Sequence, residues 1–255
     1  MASSLGHYRD MIIVLAQKDF KVRYKNSVLG FLWALLNPLA YMAVLTLVFS
    51  TLFRVNIPNF AAWVLIGLLI WRFLSIATNQ GLFSIVGNPS LVSGVHVPRH
   101  IIVLSSNVAG FLGAALEFAV FLPVLVLLGV DLSISLLLLP VILISEFLLV
   151  FGISLSLSSL YVRYRDLHEI WDIALQLGFF LSPIVYDASI VPARYQLLYS
   201  LNPVTRLIES ARSILLLSQP PSLFDTIVII SSIAVFLLIG FLVFGRLERR
   251  FAEEL

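Results

Sequence analysis

Polar and apolar positions alternate on the scale of whole helices rather than single residues. Largely uncharged runs at about 29–53, 60–86, 101–128, 134–160, 169–186 and 226–244 are divided by stretches rich in proline, glycine and charge. Runs of about 18 to 28 residues, at about 1.5 Å rise per residue, are long enough to cross or nearly cross a hydrocarbon layer about 30 Å thick. They are continuous rather than ten-residue alternating segments, so they predict spanning helices and not barrel strands. The expected fold class is an all-α integral membrane protein with six spans. No linker or internal repeat divides the pattern, which predicts one membrane domain over 1–255.

The segments between the runs carry their own patterns. In 1–28, Tyr8, Met11, Ile12, Leu15 and Val22 share a helical face beside Lys18, Lys21 and Lys25, which predicts an amphipathic helix lying on the membrane surface. Asp19 interrupts that stripe, and a solvated basic tail is the alternative. The connection from Gly87 to His100 has helix-stop signals at both ends and room for one short helix. The segment 187–225 is too long for a turn. In it Asn202 and Pro203 read as N-cap and first residue of a helix of about 14 residues, with Arg206, Glu209, Ser210 and Ser213 on one face and Val204, Leu207, Ile208, Ala211 and Leu215 on the other. About 21 Å of helix cannot span. Short re-entrant or interfacial helices are expected there, with a plain loop as the alternative.

Composition agrees: 60% of residues are hydrophobic and 12% charged, with a mean hydropathy of +1.03, far from soluble usage. Charge then sets orientation. With the N-terminus inside, Arg9, Lys18, Lys21, Arg23, Lys25, Arg99, Arg163, Arg165, Arg246, Arg249 and Arg250 are cytoplasmic, against Arg54, Arg194, Arg206 and Arg212 outside. Eleven against four predicts both termini in the cytoplasm under the positive-inside rule. The net charge of +2 is small, and its basic residues flank the spans, so lipid and topology explain them and no nucleic-acid partner is expected. The short apolar patch from Met11 to Ala16 is followed by charge, which predicts no cleavable signal. The absence of cysteine excludes disulfides and thiolate metal sites.

Chemistry is sought first at charges inside spans, which are costly there. Arg72, Glu117 and Glu146 each lie about a dozen residues from the outer end of their run, roughly 18 Å deep, so they are expected to meet. A cluster that fixes helix packing is preferred to a proton relay or substrate site. Trp33, Asn37 and Tyr41 recur every four residues on the first span, a polar and aromatic stripe suited to stacking sugars. Most other aromatics read as lipid-facing or interfacial. There is no phosphate-binding loop, dinucleotide fingerprint or H-E-x-x-H motif. His96 and His100 are four apart, but Pro98 between them argues against a shared metal. No catalytic, cofactor or metal residues are expected.

Several short motifs in this order carry a resemblance: Asp19 Phe20 Lys21 Val22 Arg23 Tyr24 with Ser27 Val28 Leu29 Gly30 and Trp33 before Asn37 Pro38; Tyr164 Arg165 Asp166 Leu167; Ser182 Pro183 Ile184 Val185 Tyr186; and Asn202 Pro203. Along its whole length the chain resembles the membrane subunit of bacterial ABC exporters of lipid-linked polysaccharide, the O-antigen, capsule and teichoic-acid export family. That resemblance implies a non-enzymatic transport subunit in the cytoplasmic (inner) membrane. It implies two copies working with two separate ATP-binding subunits that hold ATP and Mg, and a polyprenyl-pyrophosphate-linked glycan as substrate. It also implies that the first helix and the 91–98 connection, with Leu91, Val95, His96 and Pro98, touch the ATPase, and that 189–217, with Arg206, Glu209 and Arg212, forms an outer gate. Arg23, Lys25, Arg163 and Arg165 are then candidates to receive the pyrophosphate. The rivals are an ABC drug or lipid exporter of the same architecture, and a membrane enzyme acting on polyprenyl-linked sugars through Asp166, His168, Glu169 and Asp172.

Overall fold

A computed structural model describes residues 2–24, 32–53, 57–94 and 98–254, and among them every regular element is helical. In chain order these are α1 (Ala2–Tyr24), α2 (Leu32–Thr46, continued by a π-helical turn Leu47–Leu52), α3 (Phe60–Ser84), α4 (Pro89–Gly94), α5 (His100–Leu127), and α6 (Leu139–Arg163, entered through a 3-10 turn Ile134–Leu138). Then follow α7 (Leu167–Leu181), α8 (Ala193–Ser200), α9 (Pro203–Leu216), α10 (Leu223–Leu247) and α11 (Phe251–Glu254).

Among the described residues, five segments are long and apolar enough to cross a membrane: Leu32–Thr51, Phe60–Ser84, His100–Leu127, Ile134–Arg163 and Leu223–Arg250. The expected fifth span is shorter than its apolar run. Ser182 adopts an extended conformation (φ −107°, ψ 148°) and ends α7, because Pro183 disfavours helical geometry in the residue before it. With 15 residues, α7 reaches about 22 Å. The capping signals, by contrast, act where they stand. The Asn202 side chain accepts the Val204 amide at 3.0 Å with Pro203 as first residue of α9, and Ser222 accepts the Asp225 amide at 3.0 Å to open α10.

The hub is α3, against which α2, α5, α6 and α9 all pack. Small residues let the backbones close. A Cβ at Gly152 would sit 2.7 Å from the Leu237 backbone nitrogen, and one at Gly240 would fall on the Gly152 carbonyl, so α6 and α10 touch main chain to main chain. Asn107 ties three helices, donating to the Ala77 carbonyl at 2.8 Å and to Ser154 Oγ at 3.1 Å.

The first helix docks on the body. Ala16 is buried, Tyr8, Met11, Ile12 and Leu15 are half-buried, and α1 lies against α5. Val22 departs from the expected stripe and is exposed, whereas Asp19 is half-buried. Burial raises the Asp19 carboxyl above its usual range, partly offset by Lys18 at 3.7 Å.

Candidate functional site

Between α2, α3 and α7 lies a lateral cleft of about 440 Å³. One turn of α3 supplies Trp71, Arg72 and Ser75; α2 supplies Asn37, Pro38 and Tyr41; α7 supplies Gln176, Phe179 and Phe180. Its walls are ring faces and edges. Trp71 and Phe179 meet edge-on with centroids 6.1 Å apart, and Phe179 and Phe180 do so at 5.3 Å. Gly178 makes this possible, since a Cβ there would stand 2.7 Å from Cη2 of Trp71.

Charge at the cleft is internally balanced. Arg72 reaches Glu117 with both forks, Nε to Oε2 at 3.3 Å and Nη2 to Oε1 at 3.2 Å, while Nη1 donates to Asn37 Oδ1 at 2.9 Å. This leaves the Asn37 amide nitrogen as the donor of that side chain. Asn37, Ser75 and Gln176 therefore set neutral hydrogen-bonding groups among aromatic rings, and the guanidinium is matched by a carboxylate. Such a surface suits a neutral, hydroxyl-rich ligand with apolar C–H faces, and it offers no unpaired charge to a phosphate.

The expected triad of intramembrane charges is only a pair. Glu146 is 0% exposed on another side of α3, where the Leu74 backbone lies beside its carboxyl. One turn along α6, Val150 belongs to the same buried cluster as Leu74. Leu74 is two residues, about 200°, around α3 from Arg72. Equal depth fixed the level of Glu146 and left its azimuth open. Of the aromatic stripe, Asn37 and Tyr41 line the cleft, and Trp33, one turn earlier on the same helix, is not among its lining residues.

The helix α9 is sunk into the core instead of lying half-exposed. Thr205, Ser210 and Arg212 are buried with Leu207, Ile208 and Ala211. Arg212, 1% exposed, donates to the carbonyls of Trp63 and Ile184, each at 3.1 Å, and to Glu209 at 3.2 Å. Arg206 pairs with Asp225 at 2.9 Å, joining α9 to the first turn of α10. Arg206 and Arg212 thus tie α9 to neighbouring elements, and Glu209 pairs with Arg212 within α9. Below them, the Tyr186 hydroxyl donates to the Phe180 carbonyl at 2.9 Å, linking the outer segment to the cleft wall.

Between α3 and α5, α4 forms as expected, with Leu91 half-buried and Val92 buried. Val95 and His96, like Lys25 and the Arg23 side chain, lie outside the described residues, and Pro98 opens the approach to α5. Arg163 and Arg165 are exposed, their guanidinium carbons 5.6 Å and 5.3 Å from the ring centroids of Tyr164 and Tyr161. His168 lies 3.2 Å from Asp172 and 3.6 Å from Glu169, and Asp172 also accepts from Asn79 at 3.2 Å. Among the described residues no three His, Cys, Asp or Glu side chains converge as a metal site would require.

Sequence reasoning missed Ser75 and Gln176, and it left Trp71, Phe179 and Phe180 among aromatics read mostly as lipid-facing or interfacial. The available signals were polar residues within apolar runs and Gly178 amid bulky neighbours, whose partner across the fold is Trp71.

The comparisons with known proteins converge. Residues 11–216 match the ABC-2 type transporter family model. Two relatives from Klebsiella pneumoniae, each named O-antigen export system permease protein RfbA, are 30% identical over 256 and 260 residues, covering 100% of this chain and 98% of each relative. A protein of the same name from Myxococcus xanthus is 29% identical over 261 residues, covering 100% of this chain and 99% of its own.

Proposed function

Because the chain belongs to the ABC-2 type transporter family, we propose that it is the membrane subunit of an ATP-driven exporter. Its cargo is a polyprenyl-pyrophosphate-linked polysaccharide of the O-antigen kind, moved outward across the bacterial cytoplasmic membrane. The names of its relatives favour that cargo. The observation that carries the reading is the cleft, where ring faces alternate with neutral donors and acceptors and the one cation is matched by Glu117.

In this reading α7 and the extended residues 182–186 complete a sixth crossing, both termini are cytoplasmic, and α8 and α9 close the outer mouth as short re-entrant helices. The cleft is open on one side, and a second copy facing it completes the path. ATP binding and hydrolysis reside in two separate subunits, in keeping with the lack of a phosphate-binding loop in the sequence. Those subunits press on α4 and the first helix, and the displacement widens the path. Arg163 and Arg165, with Arg23 and Lys25, receive the pyrophosphate at the cytoplasmic leaflet, since it finds no free cation in the cleft. The chain itself performs no bond chemistry.

A drug or lipid exporter of this architecture would be served by a wholly apolar path, and Asn37, Ser75 and Gln176 argue for sugar instead. The acidic cluster around His168 is engaged in ties to α3, through Asn79 to Asp172 and Phe83 to His168, which argues against the enzyme. The test is to purify the chain with its ATP-binding subunit, reconstitute both in vesicles, and follow ATP-dependent transfer of lipid-linked glycan to the far leaflet. Transfer that requires both subunits is expected. A chain that forms no complex with the ATPase, or a complex that moves simple lipids and no glycan, overturns the reading.

A further inference from the structure

The cytoplasmic ends of the long helices meet over a small apolar cluster that α11 closes. Phe251 is 1% exposed and packs edge-on against Phe244, with ring centroids 5.4 Å apart. It belongs to one buried cluster with Ile85 at the end of α3, Val92 of α4, Ile102 of α5 and Val162 at the end of α6. Arg99, just before α5, donates to the Glu248 carbonyl, and its guanidinium carbon lies 5.9 Å from the Phe251 ring centroid.

The start of α4 is held from another direction. Lys18 of α1 donates to Asn88 Oδ1 at 2.7 Å. The Asn88 carbonyl accepts the Leu91 and Val92 amides that open α4, while its Nδ2 donates to the Ser84 carbonyl at the end of α3.

A helix of six residues is about 9 Å long and has no stability of its own. Its position is whatever its neighbours impose. A force delivered at α4 reaches the spans only through the groups seated behind it, and among these is the Phe251 ring of α11, the helix that packs against α4. Arg99 holds that ring and the preceding turn to the start of α5, so α4, α5, α6 and α10 share one contact.

We propose that Phe251, held by Arg99, is the positioning residue that seats α4 against the ends of α5, α6 and α10, so that the first and last described helices together brace the surface an ATP-binding subunit pushes. The proposal rests on the exporter reading above and goes beyond it. Phe251 does not touch cargo or nucleotide; it sets how much of each stroke at α4 arrives at the spans. Removing the ring leaves α4 able to meet its partner and unable to move the bundle in step with it.

The experiment measures ATP hydrolysis and glycan translocation in the same vesicles, for the complete complex with the wild-type chain, Phe251→Ala and Phe251→Leu. Phe251→Ala is expected to retain the complex and hydrolyse ATP within about twofold of wild type, while glycan moved per ATP falls about tenfold, the scale of a coupling between sites. Phe251→Leu, which refills much of the space, is expected to recover most of the ratio and remain about two- to threefold low. Glycan moved per ATP that is unchanged in Phe251→Ala overturns the proposal, whatever the absolute rates. If the alanine variant cannot be recovered in membranes, an unchanged ratio in Phe251→Leu overturns it equally. A wild-type chain that binds no ATP-binding subunit overturns the exporter reading itself, and this inference with it.

Discussion

The guanidinium carbon of Arg212 lies 3.7 Å from the ring centroid of Trp63, and the same guanidinium donates to the Trp63 carbonyl. One side chain thus holds α9 to the first turn of α3 through both ring and backbone, and to the segment after α7 through the Ile184 carbonyl. The close fit depends on Gly67, where a Cβ would stand 3.0 Å from Arg212 Nη2 and 3.3 Å from the Ile184 Cα.

A planar fork serves three acceptors and a ring at once, and a lysine ammonium cannot. Arg212→Lys and Gly67→Val are therefore expected to loosen the outer helices, each by about 2–4 kcal/mol. Thermal unfolding in detergent and protease access to 187–222 report this. Unchanged melting and unchanged cleavage in both variants would contradict the tie.

Arg72 and Glu117 form the pair that stands beside the cleft, with side-chain exposures of 18% and 5%. Arg72→Ala strands a buried carboxylate, so folded yield in membranes is expected to fall, corresponding to about 3–5 kcal/mol. Arg72→Gln combined with Glu117→Gln is expected to recover part of that loss. Normal yield of Arg72→Ala with transport alone abolished would show that the arginine handles cargo instead.

The α6 and α10 backbones meet at Gly152 and Gly240. Gly240→Leu is expected to lower the melting temperature by several degrees or abolish folded yield, as overpacking a main-chain contact does. Gly245→Ala is the matched control, because nothing lies within 4 Å of its Cβ position. Equal effects at the two positions would contradict the close crossing.

Within the cleft, ring faces rather than polar tips are expected to hold the cargo. Tyr41→Ala and Phe179→Ala should each reduce translocation about five- to thirtyfold, the worth of a lost stacking contact of roughly 1–2 kcal/mol. Tyr41→Phe should stay near wild type, with complex formation unchanged throughout. Translocation assays on vesicles decide it, and a Tyr41→Ala chain that transports normally would remove the stacking role.

Much of this architecture is legible in the chain because it is written locally. The apolar runs, Asn202 before Pro203, and the stops around Gly87 and Pro98 each act within a few residues. Even the early end of α7 is local, since Pro183 dictates an extended Ser182, a signal outweighed in the reading by the apolar run continuing to Tyr186. What escaped the sequence is azimuth. Depth along a helix placed Arg72, Glu117 and Glu146 at one level, but only the packing of α3 sends Glu117 to Arg72 and Glu146 to the other side. Arg212 carries the lesson furthest, for a charged residue becomes one of the most buried because Gly67, far away in sequence, leaves it room.

The central claim is that glycan passes along the face made by Tyr41, Trp71 and Phe179. The direct measurement places a photo-crosslinking phenylalanine analogue at Tyr41 or Phe179, and at the exposed Leu238 on α10 as reference, then illuminates vesicles during ATP-driven turnover. Radiolabelled glycan captured at Tyr41 and Phe179, at least about tenfold above Leu238 and dependent on ATP, is the predicted result. Capture that is equal at all three positions, or absent from the two cleft positions while transport proceeds, would contradict it.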